Sequence, residues 1–352
     1  MPEEETTGVL TCPPSIAATR RILLGHGAGG ALSAELVEKI FLPAFANPAL
    51  EPLNDQAVVE VQGTRIAVTT DSFVVKPLFF PGGDIGSLAV HGTINDLAVG
   101  GATPFYLTLA FILEEGLPIA TLERVVQSVR RAADEARVQV ITGDTKVVEQ
   151  GKGDQLFINT TGIGLVPEGV TLSCDRARPG DAVILSGSLG DHGIAVLAHR
   201  EGLEFQTAIK SDSAPLHTLV AAMLRAGGEI RCMRDPTRGG LSSALNEIAR
   251  RSRVGVVLEE AMIPVCEEVV GACELLGLDP LHVANEGKLV AIVEAASAER
   301  IVGAMRNHQY GREARIIGRV TESDPGSLLL RTAFGTTRYV DMIAGEQLPR
   351  IC

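Results

Sequence analysis

The stretch TLERVVQSVRRAADEARVQVITGDTK, residues 121–146, carries two hydrophobic periods in succession. Leu122, Val125, Val126, Val129, Ala132, Ala133 and Ala136 recur at intervals of three and four, which predicts an amphipathic helix with Thr121 as its N-cap. The β-branched run VQVITG follows at once and reads as a strand that delivers Gly143-Asp144-Thr145-Lys146 at its end. On the N-terminal side, AVVEVQGTRIAVTTD (57–71) alternates around Gln62-Gly63 and predicts a hairpin whose second strand ends at Asp71. On the C-terminal side, QLFINTTGIGLV (155–166) is another strand. This half is therefore α/β in class, a mixture of strands and helices.

Between Pro167 and Pro179, prolines, glycines and charges interrupt the pattern before DAVILSG opens a new strand, so a domain boundary is placed there. A chain of 352 residues also exceeds what one hydrophobic core usually serves. The second half repeats the mixture, with strands at Val183–Ser186, Val254–Glu259, Lys288–Glu294 and Ala314–Val320, and a helix carrying Leu241, Ala244, Leu245, Ile248 and Ala249. The expected organisation is a glycine-containing N-terminal segment (1–45), two domains (46–166 and 167–331) and a mobile tail (332–352) with hinge candidates at Gly345 and before Pro349.

A formal charge of −12 would repel a polyanion, which argues against nucleic acid as a partner. No apolar run approaches the roughly 18 residues of a membrane span. The acidic, proline-broken start MPEEETTGVLTCPP lacks the form of a secretory segment, so a cytoplasmic location is expected. Cys12, Cys174, Cys232, Cys266, Cys273 and Cys352 form no C-x-x-C pair and are read as thiols.

Gly25-His26-Gly27-Ala28-Gly29-Gly30 fits G-x-G-x-x-G, yet a dinucleotide fold needs an acidic strand end roughly 20 residues on, and here Glu51 lies between Pro48 and Pro52. A Walker lysine is missing as well, because Ala31 follows Gly30. Two readings stay open: a plain loop, or a backbone cradle in which Gly27, Gly29 and Gly30 face phosphate. Acids recur where loops are expected, at Asp55, Asp71, Asp96, Asp144 and Asp235. Each alone fits a turn, while together they offer the hard oxygens that Mg²⁺ prefers. Asp235-Pro-Thr-Arg238-Gly239-Gly240 leads into a helix and offers Arg238 and glycine N–H groups to an anion. Lys146 is a mobile cation, Glu286 in Asn285-Glu286-Gly287 is a carboxylate beside a glycine, and Cys352 is a thiol at the chain end.

Taken in order, GHGAGG, TTDSF, HGTINDLAVGGATP, GDTK, DPTRGG, ANEGK and the terminal PRIC resemble the HypE family of hydrogenase maturation proteins over nearly the whole chain. That family falls within the PurM-like superfamily of aminoimidazole ribonucleotide synthetase. The resemblance implies a two-domain fold and a homodimer whose N-terminal domains pair into a β-barrel-like core. It also implies ATP and Mg²⁺ as cofactors, a carbamoyltransferase partner HypF, and delivery to a HypC–HypD iron scaffold. The implied activity is ATP-dependent dehydration of a carboxamide on Cys352 to a thiocyanate, the cyanide source for a hydrogenase iron. By resemblance Asp55, Asp71, Asp96, Asp144 and Asp235 hold metal or phosphate, with Asn95, Gly143 and Thr145 alongside. Lys146 stabilises charge and Glu286 accepts a proton, or the reverse. The competing expectations are a superfamily kinase or synthetase acting on a free metabolite, and a non-catalytic scaffold whose tail is a binding peptide.

Overall fold

The computed structural model describes residues 21–203, 209–345 and 350–352. The hairpin forms as expected, β1 (Ala57–Val61) and β2 (Thr64–Phe73), with Gln62 and Gly63 both at positive φ, the tight turn that suits twisted strands. Beyond the short pair β3 (Phe79–Phe80) and β4 (Gly83–Asp84), the first sheet is completed by β5 (Thr103–Glu114), β6 (Gln139–Val148) and β7 (Leu156–Leu165). Its order is β1-β2-β7-β5-β6, an open sheet in the single chain and not a closed barrel.

Two helices cover it. After the short α1 (Ala31–Leu36), α2 (Ile85–Val99) is apolar nearly all round and buried on every side, as its sequence requires. The amphipathic helix, α3 (Ile119–Ala136), starts three residues earlier than expected, with Pro118 and not Thr121 at the N-cap position. Proline's fixed φ suits that entry, and no side chain caps the first turn.

The second sheet contains β8 (Ala182–Leu185), β9 (Ile230–Arg234), β10 (Gly255–Glu259), β11 (Val290–Val293), β12 (Arg315–Thr321), β13 (Leu328–Arg331) and β14 (Thr337–Tyr339), in the order β14-β13-β10-β12-β8-β11-β9. Helices α4 (Asp191–Glu201), α5 (His217–Ala226), α6 (Gly240–Ser252), α7 (Glu267–Leu276) and α8 (Ala295–Arg306) pack around it. The tail does not begin at Thr332 as expected. β14 pairs with β13, and Val340 and Met342 are buried. All three β14 residues are exposed, so the strand left no hydrophobic period to read. Gly345 is described, whereas the other hinge candidates, the stretch before Pro349, lie outside the described residues, as does Cys12.

The two domains are joined through α2. Asn95 donates through Nδ2 to the carbonyls of Ala214 (3.0 Å) and Glu286 (3.1 Å), and its Oδ1 accepts from Leu216 N (2.8 Å). Ala98 and Val99 extend the same contact into the core of the second domain.

Candidate active site

Four of the five expected acids meet where α2, β2 and β9 converge. Asp55 precedes β1, Asp71 lies within β2, Asp96 on the last turn of α2, and Asp235 follows β9. Only Asp55 and Asp235 are thus in loops; the other two are presented by regular elements, which fix them more rigidly. Carboxylate oxygens of Asp55, Asp96 and Asp235 lie within 4.8 Å of one another. Thr69 Oγ1 donates to Asp96 (2.7 Å), and Arg234, held also by Glu247 (2.8 Å), reaches Asp55 at 2.7 Å. Burial pushes the Asp55 carboxyl up to about 6, against the pull of Arg234 and with the repulsion of Glu247 and Asp71. Burial likewise raises Asp71, and burial together with neighbouring acids raises Asp96 and Asp235 far more. A cluster of hard oxygen donors held in mutual repulsion fits a divalent cation of the Mg²⁺ type.

The chain end sits beside this cluster. Val74 N donates to the main-chain oxygen of Cys352 (3.0 Å) and Lys76 N to the carbonyl of Arg350 (3.2 Å), so the last residues run along the continuation of β2. Ile351 and Cys352 are buried among Phe73, Val75, Phe80 and Ala284. Arg238 Nη1 lies 3.7 Å from Cys352 Sγ. Glu286 is buried with Oε1 unpartnered, and its carboxyl is held far above the usual range by burial and by Asp235 and Asp212. Around them remains a cavity of about 30 Å³ lined by Asp71, Asp96, Asp235, Arg238, Glu286 and Cys352.

This association of a seated C-terminal thiol with an acidic cluster can be set against known proteins. Residues 53–166 match the AIR synthase related protein, N-terminal domain, and residues 178–331 match the AIR synthase related protein, C-terminal domain. The carbamoyl dehydratase HypE of Cupriavidus necator is 59% identical over 333 residues, covering 94% of this chain and 95% of that protein. The chain belongs to the HypE family. Among solved HypE structures, one in complex with ATP is 48% identical with a TM-score of 0.80, covering 94% of this chain and 100% of the other. A HypE–HypF complex contains a chain 49% identical with a TM-score of 0.83, covering 88% and 99%.

Not every residue expected from the HypE family resemblance reaches the pocket. Asp144 and Lys146 pair with each other on the exposed face of β6. In register, Asp71 faces Thr160, Thr160 faces Leu109, and Leu109 faces Gly143. Three strand spacings, about 14 Å, therefore separate Asp71 from Gly143 within one chain. The segment Gly143-Asp144-Thr145-Lys146 is not a strand end either, because β6 pairs with β5 as far as Val148. Gly143 has a packing role here: a Cβ would stand 2.1 Å from the Leu109 carbonyl oxygen. Asn95 also stays out of the pocket, its amide taken up by the three inter-domain bonds.

The glycine segment folds against the Arg238 turn. A Cβ on Gly29 would meet the Arg238 carbonyl oxygen at 2.5 Å, one on Gly239 would meet Gly29 O at 2.7 Å, and one on Gly30 would meet Ile343 O at 2.2 Å. Gly27 has open space around it. Reading the sequence missed Thr69, Arg234 and Asp212, which bind the site acids or their loop. Arg234 adjoins Asp235, and that adjacency was the available signal. The five described cysteines are free thiols, and among the described residues no helix is long and apolar enough to cross a membrane.

The raised acids fix the sign of a pH dependence. An acid whose folded pKa lies above its unfolded value takes up a proton on folding, so its contribution is complete below the unfolded pKa and is lost as pH rises through the folded one. For Asp55 that window runs from 3.8 to about 6, and Asp71, Asp96, Asp235 and Glu286 act in the same direction. In chelator, the melting temperature is expected to fall between about pH 5 and pH 8, with excess Mg²⁺ restoring more at the higher pH. Equal Mg²⁺ gains at both pH values in a thermal melt would contradict this reading of the cluster.

Proposed function

We propose that the protein is a carbamoyl dehydratase that acts on the S-carboxamide of its own Cys352 with ATP, leaving a thiocyanate. The observation that carries this reading is the position of Cys352 itself, a C-terminal thiol seated between Arg238, Glu286 and the aspartate cluster. The family relationship and the ATP-bound relative support it.

Asp55, Asp96 and Asp235, with Asp71 beside them, would hold Mg²⁺, which supplies positive charge against the phosphates when bound. An amide oxygen leaves poorly. Once phosphorylated it departs as phosphate, while nitrogen loses its protons and the C–N bond becomes triple. Glu286 is the group placed to take a proton: its unpartnered Oε1 is an open acceptor in the pocket. Arg238 holds the sulfur in register. The cavity of about 30 Å³ beside the thiol is small, room for about two waters, which is on the scale of a carboxamide group.

The seated pose suits dehydration and not loading. Burial pushes the Cys352 thiol up to about 12, with Arg238 opposing, so the seated sulfur is a poor nucleophile. Loading by a HypF-type carbamoyltransferase therefore takes place with the tail outside, and the tail then returns. HypF pairing is supported by the solved HypE–HypF complex of relatives. By family resemblance the product passes to a HypC–HypD scaffold in the cytoplasm.

Lys146 requires a second copy. It cannot cross the sheet within its own chain, and the β6 edge exposes Val140, Ile141 and Val147 at 43%, 52% and 66%. An open, apolar strand edge calls for a partner. A homodimer that pairs the two first sheets would cover this edge and bring Asp144 and Lys146 of one protomer to the pocket of the other.

Intact-protein mass spectrometry with the carbamoyltransferase, carbamoyl phosphate and Mg-ATP tests the reading. The expected record is gain of one carboxamide on Cys352 and then ATP-dependent loss of one water. A carboxamide that persists under Mg-ATP overturns it.

A further inference from the structure

Resting on the reading above, we infer that His192 is a positioning residue that latches the C-terminal tail in its reacting pose by donating a hydrogen bond to the last peptide carbonyl before Cys352. His192 is the second residue of α4, fully buried, and lies outside the pocket lining. Its Nε2 stands 2.8 Å from the carbonyl oxygen of Ile351 and its Nδ1 2.8 Å from Ser211 Oγ. A carbonyl oxygen can only accept, so Nε2 carries the proton, and Nδ1 accepts from the serine hydroxyl. The ring is held edge-on to Phe80, centroids 5.5 Å apart. Ser211 and Phe80 thus hold the ring's position and orientation independently of the tail, and the Ile351 carbonyl selects the Nε2–H tautomer when the tail is seated.

Among the described residues the chain end has few other polar holds. Backbone bonds from Val74 and Lys76 secure the main-chain oxygen of Cys352 and the carbonyl of Arg350, Arg238 Nη1 lies 3.7 Å from the Cys352 sulfur, and the Arg350 side chain pairs with Asp154 at the exposed surface. The Ile351 carbonyl points the other way, into the second domain, and His192 is the partner that meets it there. Removing that donor would leave a buried carbonyl unpaired in the seated tail, whereas in the outer pose water would satisfy it. The loss therefore falls on the seated state alone.

The latch is joined to Glu286 by short connections. Ser211 accepts from Ser213 N at 3.1 Å, and the intervening Asp212 accepts from Glu286 N at 3.0 Å while pairing with Lys288 at 3.0 Å. Asn285 accepts from Gly190 N at 2.7 Å, at the start of the helix that carries His192. The same two connections thus hold the helix that carries the imidazole and the backbone that carries Glu286 in one frame. This arrangement sets the distance between base and substrate when the tail docks.

The test uses the full-length protein and two variants. His192→Phe keeps an aromatic ring against Phe80 but donates nothing, and His192→Gln retains an amide N–H near the position of Nε2. The first readout is the rate at which iodoacetamide alkylates Cys352 in the unloaded protein, followed peptide by peptide, with Cys232 and Cys273 as buried internal standards. The second compares the rate of carboxamide loading with the rate of ATP-dependent dehydration. In His192→Phe, alkylation of Cys352 is expected to rise about tenfold and loading, which also needs the tail outside, to be no slower than in wild type, while dehydration slows by up to about tenfold. His192→Gln is expected to restore both towards wild type.

Equal alkylation of Cys352 in wild type and His192→Phe would overturn the latch, as would equal slowing of loading and dehydration. If Cys232 and Cys273 also become reactive in His192→Phe, the fold has loosened and His192→Gln decides: a shielded Cys352 supports the latch, an exposed one overturns it. A wild-type protein that loads but never dehydrates would refute the proposed reaction, and the alkylation contrast would still judge the latch.

Discussion

Glu286→Gln is expected to load its carboxamide at the wild-type rate and then dehydrate it about 10² to 10⁴ times more slowly, the usual range for loss of a positioned proton acceptor. The amide is nearly the same size, so the buried site should keep its packing. What disappears is the ability to accept a proton from the substrate nitrogen. In the resting site that ability is weakened, because burial and the charges of Asp235 and Asp212 favour the protonated form of Glu286. A cation at the aspartate cluster and an incoming lysine would offset those charges and lower its proton affinity. The base would thus become competent only once Mg-nucleotide is in place, which protects the unloaded thiol site from idle chemistry. Single-turnover mass spectrometry of preloaded protein checks this. A Glu286→Gln rate within threefold of wild type would remove Glu286 from the proton transfer.

The second large effect concerns Lys146. Lys146→Ala is expected to lower dehydration about 10² to 10³-fold, the scale for removing one fixed charge from a phosphoryl-transfer site. The geometry of the sheet makes a sharper statement possible. If Lys146 serves the partner's pocket, a heterodimer of Lys146→Ala and Glu286→Gln chains contains one intact site and one doubly defective site. Random exchange of the two inactive homodimers should then recover about a quarter of wild-type activity. Recovery by mixing cannot arise if Lys146 acts within its own chain, so mixed protein that stays inactive would place Lys146 in cis.

How far the sequence alone led is clearest from particular residues. The β1–β2 hairpin was legible because Gln62-Gly63 is a turn signal of local origin, and α3 because its period is strong. Asp96 was expected in a loop and lies on α2, since a helix apolar on all sides has no amphipathic period to announce it. β14 was hidden for the opposite reason, having no buried face at all. Gly143 illustrates a different limit: a glycine needed for strand approach and a glycine needed for phosphate look identical in one sequence. The convergence of Asp55, Asp71, Asp96 and Asp235 rests on long-range packing, which no local pattern encodes. The terminal cysteine, by contrast, stood out in the sequence, while its seat between Arg238 and His192 required the fold.

The expected chemistry turns on one atom, the carboxamide oxygen, and its fate can be followed directly. Protein loaded with ¹⁸O in the Cys352 carboxamide should, on addition of Mg-ATP, release that label into inorganic phosphate in step with formation of the thiocyanate. Label that appears in water, with phosphate unlabelled, would mean that the oxygen is never phosphorylated and would contradict the proposed dehydration.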